Sequence, residues 1–263
     1  MFKREMKVNL KSFLIWTTIL LAIFLVVFLM YPSIIASDNV QMLDEMMKVF
    51  PPEMLKMFNM DISGLDSAFG CLKTEGFVFV LLITVSYSGI LGANILLKEE
   101  NEKTIEYLNS VPVTRKSIVI NKVICGIIYI VLMILILGIF NYVGLKLSGN
   151  FDEKVYILLS ITPIFPALVI FSLCLFLSTF THKAKKMLGI SLGTVFVSYF
   201  FNVLSELDKS TEFLKYFSAF TLADIRNVIL EATINPWMVI ISIGMSIVFI
   251  ILTLINYERK ELV

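Results

Sequence analysis

Six long apolar runs divide this sequence, and the loops between them alternate in the sign of their charge. Each run is close to the roughly 20 residues that a helix needs to cross the hydrocarbon core of a bilayer, and none shows the period of two typical of barrel strands. The predicted spans are 12–31, 76–97, 118–145, 155–180, 187–204 and 237–256. A hydrophobic content of 58% and a mean hydropathy of +0.88 exceed what a soluble chain of this length needs. The sequence therefore predicts an all-α integral membrane protein, with residues 1–263 in a single transmembrane domain.

The distribution of Lys and Arg predicts the orientation of these spans. Thirteen basic residues lie on the side that carries both termini, the loop 98–117 and the loop between the fourth and fifth spans, whereas eight lie on the other side. Basic loops are retained in the cytoplasm, so both termini are predicted to be cytoplasmic and the segments 32–75 and 205–236 to lie outside. Because Lys, Ile and Asn are frequent, we expect a multi-pass protein of a bacterial plasma membrane.

The spans lack the groups that several mechanisms require. They contain no Asp, Glu, His or Arg, and their only Lys is Lys122, near a predicted helix start. Ion-coupled carriers usually place such a group in the membrane, and no TVGYG-like filter of an ion channel occurs. Nucleotide-binding, zinc-protease and serine-hydrolase motifs are also missing. We therefore predict no catalytic residue, no metal site and no cofactor bound by this chain, and we assign His182 no role.

The loop 98–117 is predicted to form an amphipathic helix. One side is apolar and is formed by Leu97, Ile105 and Leu108. The other side faces away and carries Glu99, Glu100, Glu102, Lys103 and Glu106. Pro112 ends this helix, and Thr114 or Ser117 is expected to cap the next one. From the residues alone, this helix is either solvated at the membrane surface or a docking surface for another protein.

The segment 92–122 resembles the cytoplasmic-loop signature of type-2 ATP-binding-cassette (ABC) exporter permeases. That signature reads approximately E-x-x-x-G-T-x-E-x-L-L-x-x-P-V-[ST]-R and is followed by a Gly-Lys pair. The matching residues are Glu99, Thr104, Glu106, Leu108, Pro112, Val113, Thr114, Arg115 and Lys122. Lys103 and Asn121 stand where the family usually has Gly. The resemblance extends over almost the whole chain, because the number of spans, the cytoplasmic termini and the long first outer loop also agree.

The resemblance implies a function and partners. In this family the loop is a coupling helix that fits a cleft on a separate ATPase subunit, which would bind ATP and Mg. The ATPase-coupling residues would be Glu99, Glu100, Thr104, Glu106, Leu108, Pro112 and Arg115. The chain would be the permease subunit of an exporter of hydrophobic or amphipathic substrates, such as an antimicrobial or toxin peptide or a drug. A second copy or a related permease would complete the pathway.

Two other classes of protein stay open from the residues alone. A non-transporting membrane scaffold or signalling protein would need no ATPase partner. A secondary carrier would need a coupling-ion site, for which we find no residues.

Further expectations concern individual segments. The transport path or dimer seam is expected near the second and fifth spans, at Ser86, Ser88, Asn94, Ser198, Tyr199 and Asn202. Pro163 and Pro166 are expected to kink the fourth span. Outside the membrane, a Met-rich helix over 38–50 and one or two short helices within 213–234 are predicted. The stretch 1–11 resembles the interfacial elbow helix of the same family or is a basic anchor.

Overall fold

The computed structural model describes residues 2–34, 67–102, 114–207 and 209–260. Every regular element within these ranges is helical, and six helical segments are long and apolar enough to cross a membrane. The prediction of an all-α protein with six spans is therefore confirmed. The Met-rich segment 38–50 and the loop residues 103–113 lie outside the described residues.

The described helices follow one another along the chain with short connections. Here η denotes a 3-10 helix. In order they are α1 (Phe2–Ile34), α2 (Ala68–Cys71), a π-helical stretch (Leu72–Gly76), α3 (Phe77–Ile95), α4 (Lys98–Asn101), α5 (Arg115–Ser148), α6 (Glu153–Ile161), α7 (Ile164–Ser178), α8 (Ala184–Leu207), η1 (Lys209–Phe217), η2 (Phe220–Ala223), α9 (Ile225–Glu231) and α10 (Pro236–Arg259). The six spans are α1, α3, α5, α6 with α7, α8 and α10. The elements η1, η2 and α9 confirm the short helices predicted between the last two spans.

Local sequence signals account for several helix ends. Thr114 caps α5, because its side chain accepts a hydrogen bond from the backbone N–H of Ser117 at 3.3 Å, as predicted. The fourth span is broken at Pro163, which lies between the end of α6 and the start of α7. Proline has no N–H to donate to the preceding turn. Pro166 falls in the first turn of α7, where that donor is not needed, so the predicted interruption has its cause at Pro163.

The first span begins about ten residues earlier than predicted. The helix α1 runs without interruption from Phe2, so the stretch 1–11 does not form a separate elbow helix. Its buried residues continue on one helical face into the span and are Glu5, Asn9, Phe13, Thr17, Leu20 and Phe24. This spacing of three or four residues is that of a helix face packed on a bundle. The N-terminal residues therefore belong to the bundle.

The centre of the bundle is formed by α3 and α7, which are the most buried spans. The helix α7 packs on both α3 and α10, α8 packs on α3, and α1 packs on α5. Gly92 lies where α3 meets α7, and a Cβ atom there would be 2.3 Å from the carbonyl oxygen of Phe171. Small residues at such crossings let two backbones approach closely. The close helix contact that the sequence predicts at Gly92 is therefore present.

Candidate functional site

Charged residues gather at the end of the bundle that carries both chain termini, which we call the terminal end. The start of α1, the end of α3, the short helix α4, the start of α5 and the end of α10 meet there. The loop 98–117 leaves the bundle from α4 and re-enters it at α5. The predicted coupling segment is thus attached to the most highly charged part of the described structure.

Lys122 is the centre of this region. Its side chain is fully buried, with 0% of its surface exposed. Its ammonium group donates to Glu5 Oε2 at 3.1 Å, to Glu99 Oε1 at 2.7 Å and to the carbonyl oxygen of Ile95 at 2.7 Å. An ammonium group has three N–H donors, so all three are used. We call Glu5, Glu99 and Lys122 the Lys122 cluster.

The Lys122 cluster joins four helices. Glu5 belongs to α1, Ile95 ends α3, Glu99 belongs to α4 and Lys122 belongs to α5. Both carboxylates are buried. Charges removed from water are costly, and removing one partner of a buried ion pair usually costs about 3–5 kcal/mol because the other charge is left uncompensated. The cluster therefore holds the ends of these four helices in one arrangement.

Hydrogen bonds to the backbone of α1 reinforce this arrangement. The Tyr129 hydroxyl of α5 donates to the carbonyl oxygen of Met6. Lys98 Nζ of α4 donates to the carbonyl oxygen of Val8 at 3.2 Å. Asn9 Nδ2 donates to the carbonyl oxygen of Glu5 at 3.0 Å, one turn earlier on the same helix face. The first turns of α1 are thus fixed to both helices that flank the loop.

A second group of contacts fixes the C-terminal residues, and we call Glu100, His182 and Lys260 the C-terminal contact. Lys260 Nζ lies 2.8 Å from Glu100 Oε1 and donates to the carbonyl oxygen of Thr181 at 2.8 Å. His182 Nδ1 lies 2.9 Å from Glu100 Oε2. Glu100 therefore links α4 to the connection between α7 and α8 and to the residue that follows α10.

Arg115 caps the end of α10. Its Nη1 donates to the carbonyl oxygens of Glu258 at 2.9 Å and Lys260 at 2.8 Å. The last carbonyl groups of a helix have no partner within that helix, and a cation there interacts favourably with the helix dipole. The residue at which the loop re-enters the bundle is thus bonded to the last span.

The structure corrects one prediction about the loop and leaves others as predictions. Glu99 and Glu100 were predicted to face away from the bundle, and this is wrong, because both side chains are turned inward to Lys122 and Lys260. His182, to which no role was assigned, contacts Glu100. Of the remaining coupling residues, Arg115 binds α10, and Thr104, Glu106, Leu108 and Pro112 lie outside the described residues.

The predicted transport-path residues separate into two groups. Ser86, Ser88 and Asn94 lie on α3, the first two buried and the third half-buried, and the Ser88 hydroxyl donates to the carbonyl oxygen of Thr84 in its own helix. On α8, Ser198 Oγ accepts from the backbone N–H of Ala219 at 2.8 Å. In the same region Asn202 Oδ1 accepts from the Thr221 hydroxyl at 3.1 Å, and the rings of Tyr199 and Phe220 lie 5.5 Å apart. The three α8 residues thus hold the 3-10 helices, and their role in transport stays a prediction.

The sequence analysis missed Glu5. A signal for it exists, because Glu5 is four residues from Asn9 and lies on the face that continues through Phe13 into the first span. An acidic residue on the packing face of a helix needs a buried partner, and Lys122 is the basic residue available within the spans. The pair could have been proposed if α1 had been extended to its true start.

Comparison with known proteins identifies the family. Six apolar helices with their termini at one end define a multi-pass membrane protein. Residues 1–262 match the family model described as ABC-2 family transporter protein. The chain belongs to this family and is a permease subunit of the type-2 ABC class. No curated protein matches the sequence.

A comparison of two adjacent basic residues tests the cap on α10. We expect Arg115→Gln to lower the free energy of unfolding by about 1–2 kcal/mol, because two charged hydrogen bonds to helix-end carbonyls are lost. The neighbouring Lys116 forms an exposed ion pair with Glu258 at 3.3 Å, so Lys116→Gln should change stability by less than about 0.5 kcal/mol. Thermal unfolding in detergent measures both variants, and equal midpoints would contradict the assignment.

Proposed function

We propose that this chain is the membrane-spanning permease subunit of an ATP-driven exporter, and that a separate cassette ATPase docks on the loop 98–117. The observation that supports this most directly is the Lys122 cluster, which joins the helices on both sides of that loop to α1 and α3. Membership in the ABC-2 family supports the same function. ATP and Mg would be bound by the ATPase, not by this chain.

The contacts at the terminal end suit the transmission of movement. On one side of the loop, Glu99 and Glu100 bind Lys122 and Lys260. On the other side, Arg115 binds the end of α10. When an ATPase moves the loop, α1, α5 and α10 would move with it, because their ends are bonded to the flanking residues. Coupling between distant sites needs such contiguous, tightly bonded elements.

The distribution of charge supports a cytoplasmic position for the terminal end. The predicted cytoplasmic segments, which hold thirteen basic residues, include the described starts of α1, α4, α5 and α8 and the end of α10. Positive loops are retained inside the cell, where ATP is available. We therefore place both termini and the loop in the cytoplasm of a bacterial cell, with η1, η2 and α9 on the outer side.

A second permease, identical or related, would complete the transport path. Large apolar side chains are exposed on α8, among them Phe196, Val197 and Phe200. Since α8 packs on α3 within the chain, a partner on this face would place the path near the second and fifth spans, as the sequence predicts. The apolar spans favour a hydrophobic or amphipathic substrate, such as an antimicrobial or toxin peptide or a drug.

Co-purification with the cassette ATPase encoded by a neighbouring gene tests the docking function. We expect the native chain to retain the ATPase, whereas Glu106→Arg and Thr104→Arg should lose it at least tenfold, because a docking surface is sensitive to reversed or added charge. A matched control is Glu153→Arg on the predicted outer side, where Glu153 forms an exposed ion pair with Lys146. This variant should bind normally.

Two results would contradict the proposed function. A native chain that recruits no ATPase would favour a scaffold or signalling protein. Normal recruitment by both loop variants would place the docking surface elsewhere on the permease.

A further inference from the structure

A cavity of about 470 Å³ lies between α7, α8, α10 and the 3-10 helices, away from the Lys122 cluster. Its apolar walls include Leu173 of α7, Val197 of α8, and Ile241 and Met245 of α10. Its volume is within the range typical of small-molecule sites. Val197, Ile241 and Met245 are also exposed at the surface of the spans, so the cavity opens sideways, toward the region that hydrocarbon chains occupy in a membrane.

The polar groups of the cavity wall are already bonded within the protein. The Thr194 hydroxyl donates to the carbonyl oxygen of Ile190 at 2.9 Å. The Ser218 hydroxyl donates to the carbonyl oxygen of Ser198 at 2.7 Å, and Ser198 Oγ accepts from the backbone N–H of Ala219. The walls therefore present mainly methyl and methylene groups. An apolar chain fits this surface, whereas a polar ligand would lose its hydrogen bonds to water.

One charged residue, Lys215 of η1, belongs to the cavity lining. Its ion pair with Glu212, at 2.6 Å, is partly exposed to solvent, with 35% of the Lys215 side chain accessible. Exposed ion pairs of this kind contribute little to stability, so the ammonium group can exchange Glu212 for another anion. The mouth of the cavity thus combines an available positive charge with an apolar interior.

Aromatic residues indicate the depth of this mouth in the membrane. Tyr216 beside Lys215 is 81% exposed, and Trp237 at the start of α10 is 69% exposed. Exposed Tyr and Trp at the ends of spans lie at the level of lipid headgroups. Lys215 is therefore at headgroup level, and the cavity extends from it toward the hydrocarbon.

We propose that this cavity binds one acyl chain of an anionic phospholipid from the surrounding bilayer, with the lipid phosphate paired to Lys215. The charge at the mouth, the apolar walls and the lateral opening all match this ligand. The proposal depends on the membrane location of the chain but not on its role as an exporter.

Two glycines of α8 provide a matched test. Gly193 lines the cavity, and a Cβ atom there would meet nothing within 4 Å. Gly189, one turn earlier, has the same free space but is not part of the lining. Gly193→Leu should therefore fill the cavity without disturbing the helix, and Gly189→Leu adds the same side chain outside it. Equal thermal midpoints of the two variants check that both are folded.

The experiment uses the full chain in nanodiscs of equal parts phosphatidylglycerol and phosphatidylcholine, followed by native mass spectrometry of lipids retained after detergent exchange. We expect the native chain and Gly189→Leu to retain one phosphatidylglycerol molecule and Gly193→Leu to lose it at least tenfold. Lys215→Gln should keep a lipid but reduce the preference for phosphatidylglycerol about fivefold, the effect of one basic residue near a membrane surface.

Three results would overturn the proposal. Equal retention by both glycine variants would mean that the lipid binds elsewhere. A non-lipid amphiphile that co-purifies with the native chain and is absent from Gly193→Leu would assign the cavity to cargo. Conversion of a native dimer to a monomer by Gly193→Leu would assign it to a second copy of the chain.

Discussion

Replacement of Lys122 by Met is expected to lower the free energy of unfolding by about 3–5 kcal/mol. The methionine has nearly the same length but cannot donate to Glu5, Glu99 or the carbonyl oxygen of Ile95, to which the ammonium group of Lys122 is bonded. Two buried carboxylates would then lie close together without a cation. Thermal unfolding of the purified chain in detergent measures the effect.

A variant that removes all the charges of the Lys122 cluster separates the loss of the interaction from the cost of leaving charges unpaired. In Lys122→Met with Glu5→Gln and Glu99→Gln, no buried charge is left uncompensated, and replacement of a whole buried ion cluster is often nearly neutral. We expect this neutral triple variant to recover most of the stability lost in Lys122→Met. A single variant as stable as the native chain would show that the cluster is not a structural requirement.

Replacement of Gly92 by Val is expected to have the second large effect, a loss of about 3 kcal/mol or more. A Cβ atom at this position would be 2.3 Å from the carbonyl oxygen of Phe171. The obstructing atom belongs to the backbone of α7, so the two central helices would have to move apart. Insertion of extra atoms into a well-packed core costs about 1–3 kcal/mol and occasionally more.

Gly189→Val is the control for this experiment, because the position is helical and has nothing within 4 Å of its Cβ. Its effect should be within about 0.5 kcal/mol. Thermal unfolding of both variants in the same detergent makes the comparison. Equal losses would show that glycine content, and not the approach of α3 to α7, determines stability.

The architecture could be predicted from the sequence because the bilayer imposes strong local constraints. A helix must be long and apolar to cross it, and this requirement can be read from each segment separately. The helices α3, α5, α8 and α10 accordingly begin and end within three residues of the predicted spans. The cap at Thr114 and the break at Pro163 are also local, since both depend on the residue itself and its immediate neighbours.

The contacts at the terminal end could not be predicted in the same way. Glu5 and Lys122 are 117 residues apart, and only the packing of α1 on α5 brings them together. The predicted orientation of Glu99 and Glu100 was wrong because the periodicity of the loop was considered without the cations of other helices. Burial of a carboxylate is unfavourable unless it is paired, and here the partners come from the third span and from the C-terminal residues.

The position of α1 illustrates the same limit. Its charged first turns are typical of a segment at the membrane surface, which supported a separate elbow. The buried face that begins at Glu5 instead continues the span, because Lys122 and Tyr129 of α5 supply partners for its polar groups. A rule based on the composition of one segment cannot include partners that come from another.

The central claim is that the Lys122 cluster transmits movement of the loop 98–117 to the spans. The most direct test is hydrogen–deuterium exchange of the permease–ATPase complex in lipid, with and without ATP and vanadate, for the native chain and the neutral triple variant. We predict that trapping changes exchange in the loop of both proteins but in residues 2–11 of α1 only in the native complex. Equal changes in α1 in the two complexes would contradict the claim.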